Sequence, residues 1–264
     1  MKHQLSFLLI MLLINAAFAQ SYSDTFDDAF RRDDVAGQRE ALRLWQQEAP
    51  NDVNLYIARY NFYANRAIGQ NTSVIITPLA DSGLVAIEEG ISLFPDRLDL
   101  RFGKIYFLGQ LARWEEFVDE IDRTITHSLQ INHGLDFPNV PDDMMEGLLV
   151  EGMVDYMVTM WGSIADTAHL SAADSLMAKH IQGLAKRMVQ LFPGDFPSTY
   201  MLALSHLILN ENDKAYKYLR RAEGIDNTNV PLLETLVKVC RLMGKTGQAI
   251  EYQQRIKALS TQPD

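Results

Sequence analysis

The sequence predicts an all-α protein built from a row of antiparallel helix pairs. Three observations lead to this fold class: a repeat with a period of 34 residues, apolar residues at helical spacing in both halves of each repeat, and a proline motif that recurs where repeats end. A chain of 264 residues can bury a sizeable core. Its composition, 47% hydrophobic and 22% charged, is that of a globular protein and excludes a disordered chain.

The charge and the cysteine content narrow the range of functions. Lys and Arg number 24 against 34 Asp and Glu, which gives a formal net charge of −10. A chain this acidic repels phosphate backbones, so nucleic acid is not predicted as a partner. Cys240 is the single cysteine, so neither an internal disulfide nor a multi-thiolate metal site can form.

The first 19 residues have the pattern of an export signal. Lys2 lies in a short polar start, residues 5–18 are almost wholly apolar, and Ala17 and Ala19 are small residues at the positions that a signal peptidase reads. The apolar run is shorter than the roughly 20 residues that span a bilayer. We therefore predict cleavage after Ala19, no transmembrane segment, and a mature protein that is periplasmic or secreted.

The repeat is clearest in the C-terminal third of the chain. Residues 34 positions apart have the same or similar character: Pro197 and Pro231, Leu202 and Leu236, His206 and Cys240, Ala215 and Ala249. Each copy contains two amphipathic segments of helical periodicity. Gly244 follows the first segment of the last copy, where a residue free to take positive φ commonly ends a helix.

On these residues the chain resembles the tetratricopeptide repeat family, whose unit is a 34-residue helix–turn–helix, most strongly over residues 197–260. The resemblance implies a right-handed α-solenoid with a concave face. It also implies a small side chain where the two helices of a unit cross, which Ala215 and Ala249 provide. In a weaker unit upstream Phe117 takes that position, so we expect those helices to lie further apart or to cross at another angle.

A proline motif closes the repeats and shows where their regularity fails. Leu93-Phe94-Pro95 and Leu191-Phe192-Pro193 are two copies of the motif, and Ala49-Pro50-Asn51 is a third. The intervals between these prolines exceed a whole number of repeats, so two insertions are implied. The shorter is assigned to the polar loop 69–73, and the longer to the Pro-rich loop 133–141 with its flanking helices. These helices, over residues 142–163 and 171–191, are predicted as one oversized antiparallel pair.

The same boundaries predict how the chain is divided. The regularity is highest at the C-terminal end and lowest in the middle. The predicted regions are a signal peptide over residues 1–19, an N-terminal capping hairpin over 20–50, degenerate helix pairs over 51–131, an irregular oversized helix pair with a Pro-rich loop over 132–193, and two regular units over 194–264.

Motifs for catalysis, phosphate binding and metal binding were sought and are incomplete. Gly244-Lys245-Thr246 resembles the end of a phosphate-binding loop, but Val239 stands where that loop needs a glycine, which favours an inter-helix turn. His127 and His133 flank a loop and could meet a metal, although isolated loop histidines are more often solvated. His206 is predicted to be a packing residue and Cys240 an inert buried thiol. No catalytic residue, metal or cofactor is predicted.

Methionines are concentrated in the irregular middle segment. Met153, Met157 and Met160 follow at i, i+4 and i+7, which places them on one helical face. Thioethers can bind cuprous copper, but such a stripe is more typical of an adaptable apolar core or a hydrophobic groove. One alternative function is therefore a small-ligand protein, for an apolar molecule or a soft metal. A less favoured alternative is a helical hydrolase.

The family resemblance also implies where a ligand would bind. In that family the first helix of each unit lines the concave groove. Mapped onto this chain, the candidate binding residues are Asp99, Phe102, Tyr106, Tyr200, Leu204, Lys238 and Arg241. The family's clamp for a C-terminal carboxylate is not supported, because only Lys238 and Arg241 fit it. The predicted function is an exported, non-enzymatic scaffold that binds a protein or peptide in the cell envelope or outside the cell.

Overall fold

A computed structural model describes residues 20–68, 75–131, 135–164 and 170–260. These residues form twelve α-helices and one short 3₁₀ helix, and the described ranges contain no extended strand, which confirms the all-α fold class. The predicted signal peptide, the polar loop 69–73, His133 and His169 lie outside the described residues.

The chain divides into two compact units, Met1–Glu146 and Gly147–Asp264. Six helices precede the Pro-rich loop: α1 (Gln20–Arg31), α2 (Val35–Glu48), α3 (Val53–Ala67), α4 (Thr77–Leu93), α5 (Leu98–Gln110) and α6 (Trp114–Gln130). After the 3₁₀ helix (Asp142–Met144) come α7 (Met145–Gly162), α8 (Ala172–Leu191), α9 (Phe196–Ile208), α10 (Asn212–Ile225), α11 (Val230–Leu242) and α12 (Thr246–Ser260).

Helices that are neighbours in sequence are also neighbours in space. In the first unit α1 packs on α2, α3 on α4 and α5 on α6, with further contacts between successive pairs. In the second unit α8 packs on α9, α9 on α10, α10 on α11 and α11 on α12. Consecutive antiparallel hairpins of this kind are the arrangement of tetratricopeptide repeats, so each unit has a TPR-like fold. The helices α7 and α8 are the longest described, and their pairing stays a prediction.

Four hairpins turn in the same way, and this explains why the repeat is visible in the sequence. In each, one residue takes positive φ and the next donates its backbone N–H to the carbonyl oxygen five residues earlier, which closes the helix end. The four positive-φ residues are Asp33, Ala112, Asn210 and Gly244. Ala112 follows Pro95 by 17 residues and Asn210 follows Pro193 by the same 17, so the weaker unit around Phe117 places its turn as the regular unit does.

The predicted closing motifs lie where one hairpin passes to the next. The C-cap residues of α2, α4 and α8 are Ala49, Phe94 and Phe192, and each is followed directly by a proline. In all three, the carbonyl oxygen of that residue accepts the N–H three positions on, at 3.0–3.1 Å. The shared turn follows from the proline, which cannot continue a helix.

Polar caps start the first helix of each regular unit. Asp195 accepts from the backbone N–H of Ser198 at 2.8 Å, and Asn229 from that of Leu232 at 3.1 Å. A proline stands in the first turn of α9 and of α11, where its missing N–H removes no helical hydrogen bond. The two caps are 34 residues apart, which equals the length of the repeat.

The small positions at the helix crossings are filled as predicted in the regular units. Ala215 and Ala249 are fully buried. In the weaker unit the relationship is reversed, because Phe117 is the large residue and Gly109 of α5 is the small one. A Cβ added at Gly109 would lie 3.2 Å from Cε2 of Phe117, which is closer than Cβ atoms usually approach, so the missing side chain of Gly109 gives the ring room. The structure thus accommodates Phe117 through its partner helix.

Candidate functional site

In the first unit, two of the three predicted groove residues are buried. Asp99 is 8% exposed and Phe102 is 3% exposed, whereas Tyr106 is 41% exposed. The carboxylate of Asp99 accepts two hydrogen bonds from the guanidinium of Arg97, at 3.0 and 2.6 Å. The ring of Phe102 lies 6.4 Å from that of Phe137. Of this set, only Tyr106 presents its side chain to a ligand.

The Pro-rich insertion contacts Phe102 through the ring of Phe137. We call residues 135–141 the strap. Its backbone pairs with the turn between α4 and α5: the N–H of Leu98 donates to the carbonyl oxygen of Asp136 at 2.8 Å, and the N–H of Asp136 to that of Asp96 at 2.7 Å. Sequence reasoning located this insertion but did not indicate that it lies against α5.

A buried ionic cluster joins α5 to α6, and sequence reasoning missed it. Glu120 is 2% exposed, and its Oε2 lies 2.7 Å from Nζ of Lys104. The guanidinium of Arg101 approaches the same carboxylate at 3.6 Å, and Lys104 also contacts Glu88 of α4. Burial lowers the pKa of Arg101, although its guanidinium stays charged. The available signal was the pair of basic residues three positions apart in an otherwise apolar helix.

In the second unit, Tyr200 is held in place between two first helices. The Tyr200 hydroxyl donates to the carbonyl oxygen of Pro231 at 3.2 Å and is hydrogen-bonded to Oγ1 of Thr235 at 2.9 Å. The Phe196 ring stacks on the other side of the Tyr200 ring at 5.7 Å. Burial raises the pKa of Tyr200, which keeps the hydroxyl neutral as a donor. Leu204, one turn along α9, is half-buried.

Lys238 and Arg241 add positive charge to the second unit. They lie one turn apart on α11, and both are exposed. Within the described residues neither has an ion-pair partner, although Glu234 lies one turn before Lys238 on the same helix. Tyr200 and Leu204 thus supply aromatic and apolar side chains on α9, and Lys238 and Arg241 supply cationic side chains on α11.

The histidines near the loop and in the core have partners. His127 Nε2 lies 2.7 Å from Oδ1 of Asp96, which ties α6 to the turn before α5. His206 is buried, with Nδ1 2.5 Å from Oε2 of Glu211 and 2.9 Å from Nε2 of Gln182. It stacks on the ring of Tyr218, which confirms it as a packing residue. Over the part of the chain that the structure describes, no three His, Cys, Asp or Glu residues converge as a metal site.

The cysteine and the three methionines of the predicted stripe are internal. Cys240 is fully buried, and burial raises the pKa of its thiol, so it is the inert residue that the repeat register predicts. Met153, Met157 and Met160 are fully buried too. Their burial favours the role of an adaptable apolar core over that of an open groove.

Several solved structures are similar to this chain at low sequence identity. PilW, a type IV pilus biogenesis factor, is 14% identical, with a TM-score of 0.45 over 92% of this chain and 94% of that one. MamA of AMB-1 is 10% identical, with a TM-score of 0.45 over 81% and 96%. A tetratricopeptide repeat protein from Parabacteroides merdae is 10% identical, with a TM-score of 0.42 over 93% and 80%. Because these scores are below 0.5, the TPR-like assignment rests on the helix pairing and turns described above.

No protein-family model matches the sequence, and no curated protein is similar to it. Among the helices of the described ranges, none combines the length and the apolar character needed to cross a bilayer.

Proposed function

We propose that this chain is an exported, non-enzymatic TPR-like scaffold that binds a protein or peptide through the first-helix face of its second unit. One observation carries the proposal: Tyr200 is fixed by Thr235 and Phe196, while Lys238 and Arg241 are exposed and have no ion-pair partner among the described residues. A fixed aromatic ring loses little conformational entropy on binding, and interface anchors are enriched in Tyr and Arg.

The chemistry of this face indicates the kind of partner. A partner segment with an apolar residue against Tyr200 and Leu204 would bury apolar area, and a carboxylate would pair with Lys238 or Arg241. The chain as a whole is acidic, so such a local cationic pair directs acidic segments to this face. Of the candidate residues in the first unit, Tyr106 has the exposure for a similar role.

Affinity capture with matched variants tests this function. The mature chain, residues 20–264, is immobilised and exposed to the envelope fraction of the native host. We expect a protein that is captured by the unchanged chain and lost with Lys238→Ala/Arg241→Ala. The control is Lys179→Ala/Lys186→Ala, which removes the same charge from exposed positions on α8. Equal capture by both variants would contradict the proposal.

Export is the second part of the proposal, and it rests on the pattern of residues 1–19. Expressed from its own start codon, the chain should accumulate outside the cytoplasm, and N-terminal sequencing should begin at Gln20. Replacing the apolar run within residues 5–18 by polar residues should retain the uncleaved chain in the cytoplasm. A full-length chain in the cytoplasm without that change would overturn this part.

A further inference from the structure

The strap pairs with the α4–α5 turn as an added extended segment would. Asp136 both donates to and accepts from the backbone of residues 96–98, at 2.7 and 2.8 Å, in a parallel bridge with Arg97. These two hydrogen bonds require only an extended backbone, because they involve no strap side chain. Backbone pairing of this kind is how proteins add a peptide from elsewhere to an exposed main-chain edge.

Three successive strap side chains are distributed as in a bound peptide. Leu135 is buried, 4% exposed, and Phe137 packs its ring against Phe102 at 6.4 Å. Between them, Asp136 points towards solvent, with Oδ2 3.6 Å from Nε of Arg97. The surface formed by residues 96–102 therefore receives an apolar residue, an acidic residue and an aromatic residue in succession.

The end of the strap is shaped by a tight turn of its own. The N–H of Val140 donates to the carbonyl oxygen of Phe137 at 3.1 Å, and Asn139 between them has φ of 63°. Proline at the second position and asparagine at the positive-φ position are the residues that such a turn favours. The conformation that docks is thus encoded within residues 135–141 and needs little help from the rest of the chain.

We propose that the strap occupies a peptide-binding face formed by residues 96–102, and that a partner segment with the same order of apolar, acidic, aromatic and proline residues binds there when the strap is displaced. The strap then acts as a built-in competitor that keeps the face closed. The proposal goes beyond the function proposed above and concerns the first unit alone. Its test involves no residue of the second unit, so either proposal can fail without the other.

The test uses a fluorescein-labelled peptide, Leu-Asp-Phe-Pro-Asn-Val-Pro, and the full mature chain. One strap-released variant is Leu135→Ser/Phe137→Ser, and a second replaces residues 135–141 by seven Gly and Ser residues. Fluorescence anisotropy should rise to saturation with both variants, with at least tenfold higher affinity than for the unchanged chain. A peptide with Ser in place of Phe should bind at least tenfold more weakly.

Hydrogen exchange supplies a second readout at a single amide. The N–H of Leu98 is bonded to the strap, so its exchange should be at least tenfold faster in the released variants and slow again when the peptide is added. The control variant is Leu44→Ser/Val85→Ser, which makes the same kind of change at exposed positions of the first unit and should leave both readouts unchanged.

Three results would overturn the proposal. If the released variants are folded but neither bind the peptide nor recover slow exchange at Leu98, the contact between the strap and residues 96–102 is ordinary core packing. Equal binding by the unchanged chain would mean that the strap does not compete. Loss of helical circular dichroism in both released variants would make the strap an integral part of the core.

Discussion

At the residue scale, the hairpin turns contain a natural comparison of side chains in one conformation. Gly244 and Ala112 both take positive φ, at 71° and 54°, in equivalent turns. A β-carbon makes this conformation costly, by about 1–2 kcal/mol for an L-residue other than glycine. The two positions therefore differ in strain although their hydrogen bonds are the same.

Exchanging the two residue types should change stability in opposite directions. We expect Ala112→Gly to raise the free energy of unfolding by about 1 kcal/mol and Gly244→Ala to lower it by about 1 kcal/mol. A Cβ at Gly244 meets no atom within 4 Å, so the effect there comes from the backbone alone. Denaturant titrations of both variants measure it, and changes of the same sign would contradict the assigned turns.

The helix crossing of the first regular unit tests the register of the repeat. Ala215 is fully buried between α9 and α10, so Ala215→Trp should overpack the crossing and lower the free energy of unfolding by about 1–3 kcal/mol. The matched control is Lys217→Trp, at an exposed position of the same helix. An unchanged melting temperature for the first variant would show that the register is wrong.

The pair of Glu211 with its neighbours predicts a pH dependence. Hydrogen bonds from Lys214 and then from His206 lower the pKa of Glu211 from its ordinary 4.5 to about 2. A depressed carboxylate pKa stabilises the fold above pH 4.5, and this contribution is lost as the pH falls towards 2. The stability difference between the wild type and Glu211→Gln should shrink as the pH falls below about 4.5. Denaturant titrations of both proteins at each pH measure this difference in the free energy of unfolding. A difference that grows as the pH falls would contradict the prediction.

At the element scale, the link between α5 and α6 depends on the carboxylate of Glu120. Removing one partner of a buried ionic cluster leaves the other charges uncompensated, which typically costs about 3–5 kcal/mol. We expect Glu120→Leu to lower the free energy of unfolding by about 3 kcal/mol, since Lys104 keeps its contact with Glu88. Asp119→Leu, exposed on the same helix, should stay within about 0.5 kcal/mol of the wild type.

The regular elements could be predicted from sequence because their causes are local. The caps at Asp195 and Asn229, the turn residues Asn210 and Gly244, and the proline motifs each act within a few positions of the chain. The strap could be located as an insertion but not placed against α5, because a contact between Phe137 and Phe102 spans 35 residues and leaves no periodic trace. The burial of Phe102 against the strap was hidden from the sequence for the same reason.

The accommodation of Phe117 shows a second limit of reading by family resemblance. The small residue that the family places on the second helix is found on the first helix, at Gly109. Each position taken alone departs from the pattern, whereas the pair preserves the volume between α5 and α6. Such compensation is visible only when the facing residues are known.

At the scale of the whole molecule, the two units have the same helical architecture but differ in whether another segment lies over their first helices. In the first unit the strap lies over the beginning of α5, and Tyr106 is the exposed candidate residue. In the second unit Tyr200, Lys238 and Arg241 remain accessible on first helices. This difference is the reason that the proposed binding function is assigned to the second unit.

Site-specific photo-crosslinking in the native host tests that assignment most directly. A photoreactive amino acid is placed at position 238 on α11 or, as the matched control, at position 186 on α8, both exposed lysine positions of the second unit. The account predicts a discrete crosslinked product of one partner protein from position 238 and none from position 186. Equal products from both positions, or a product from position 186 alone, would contradict the account.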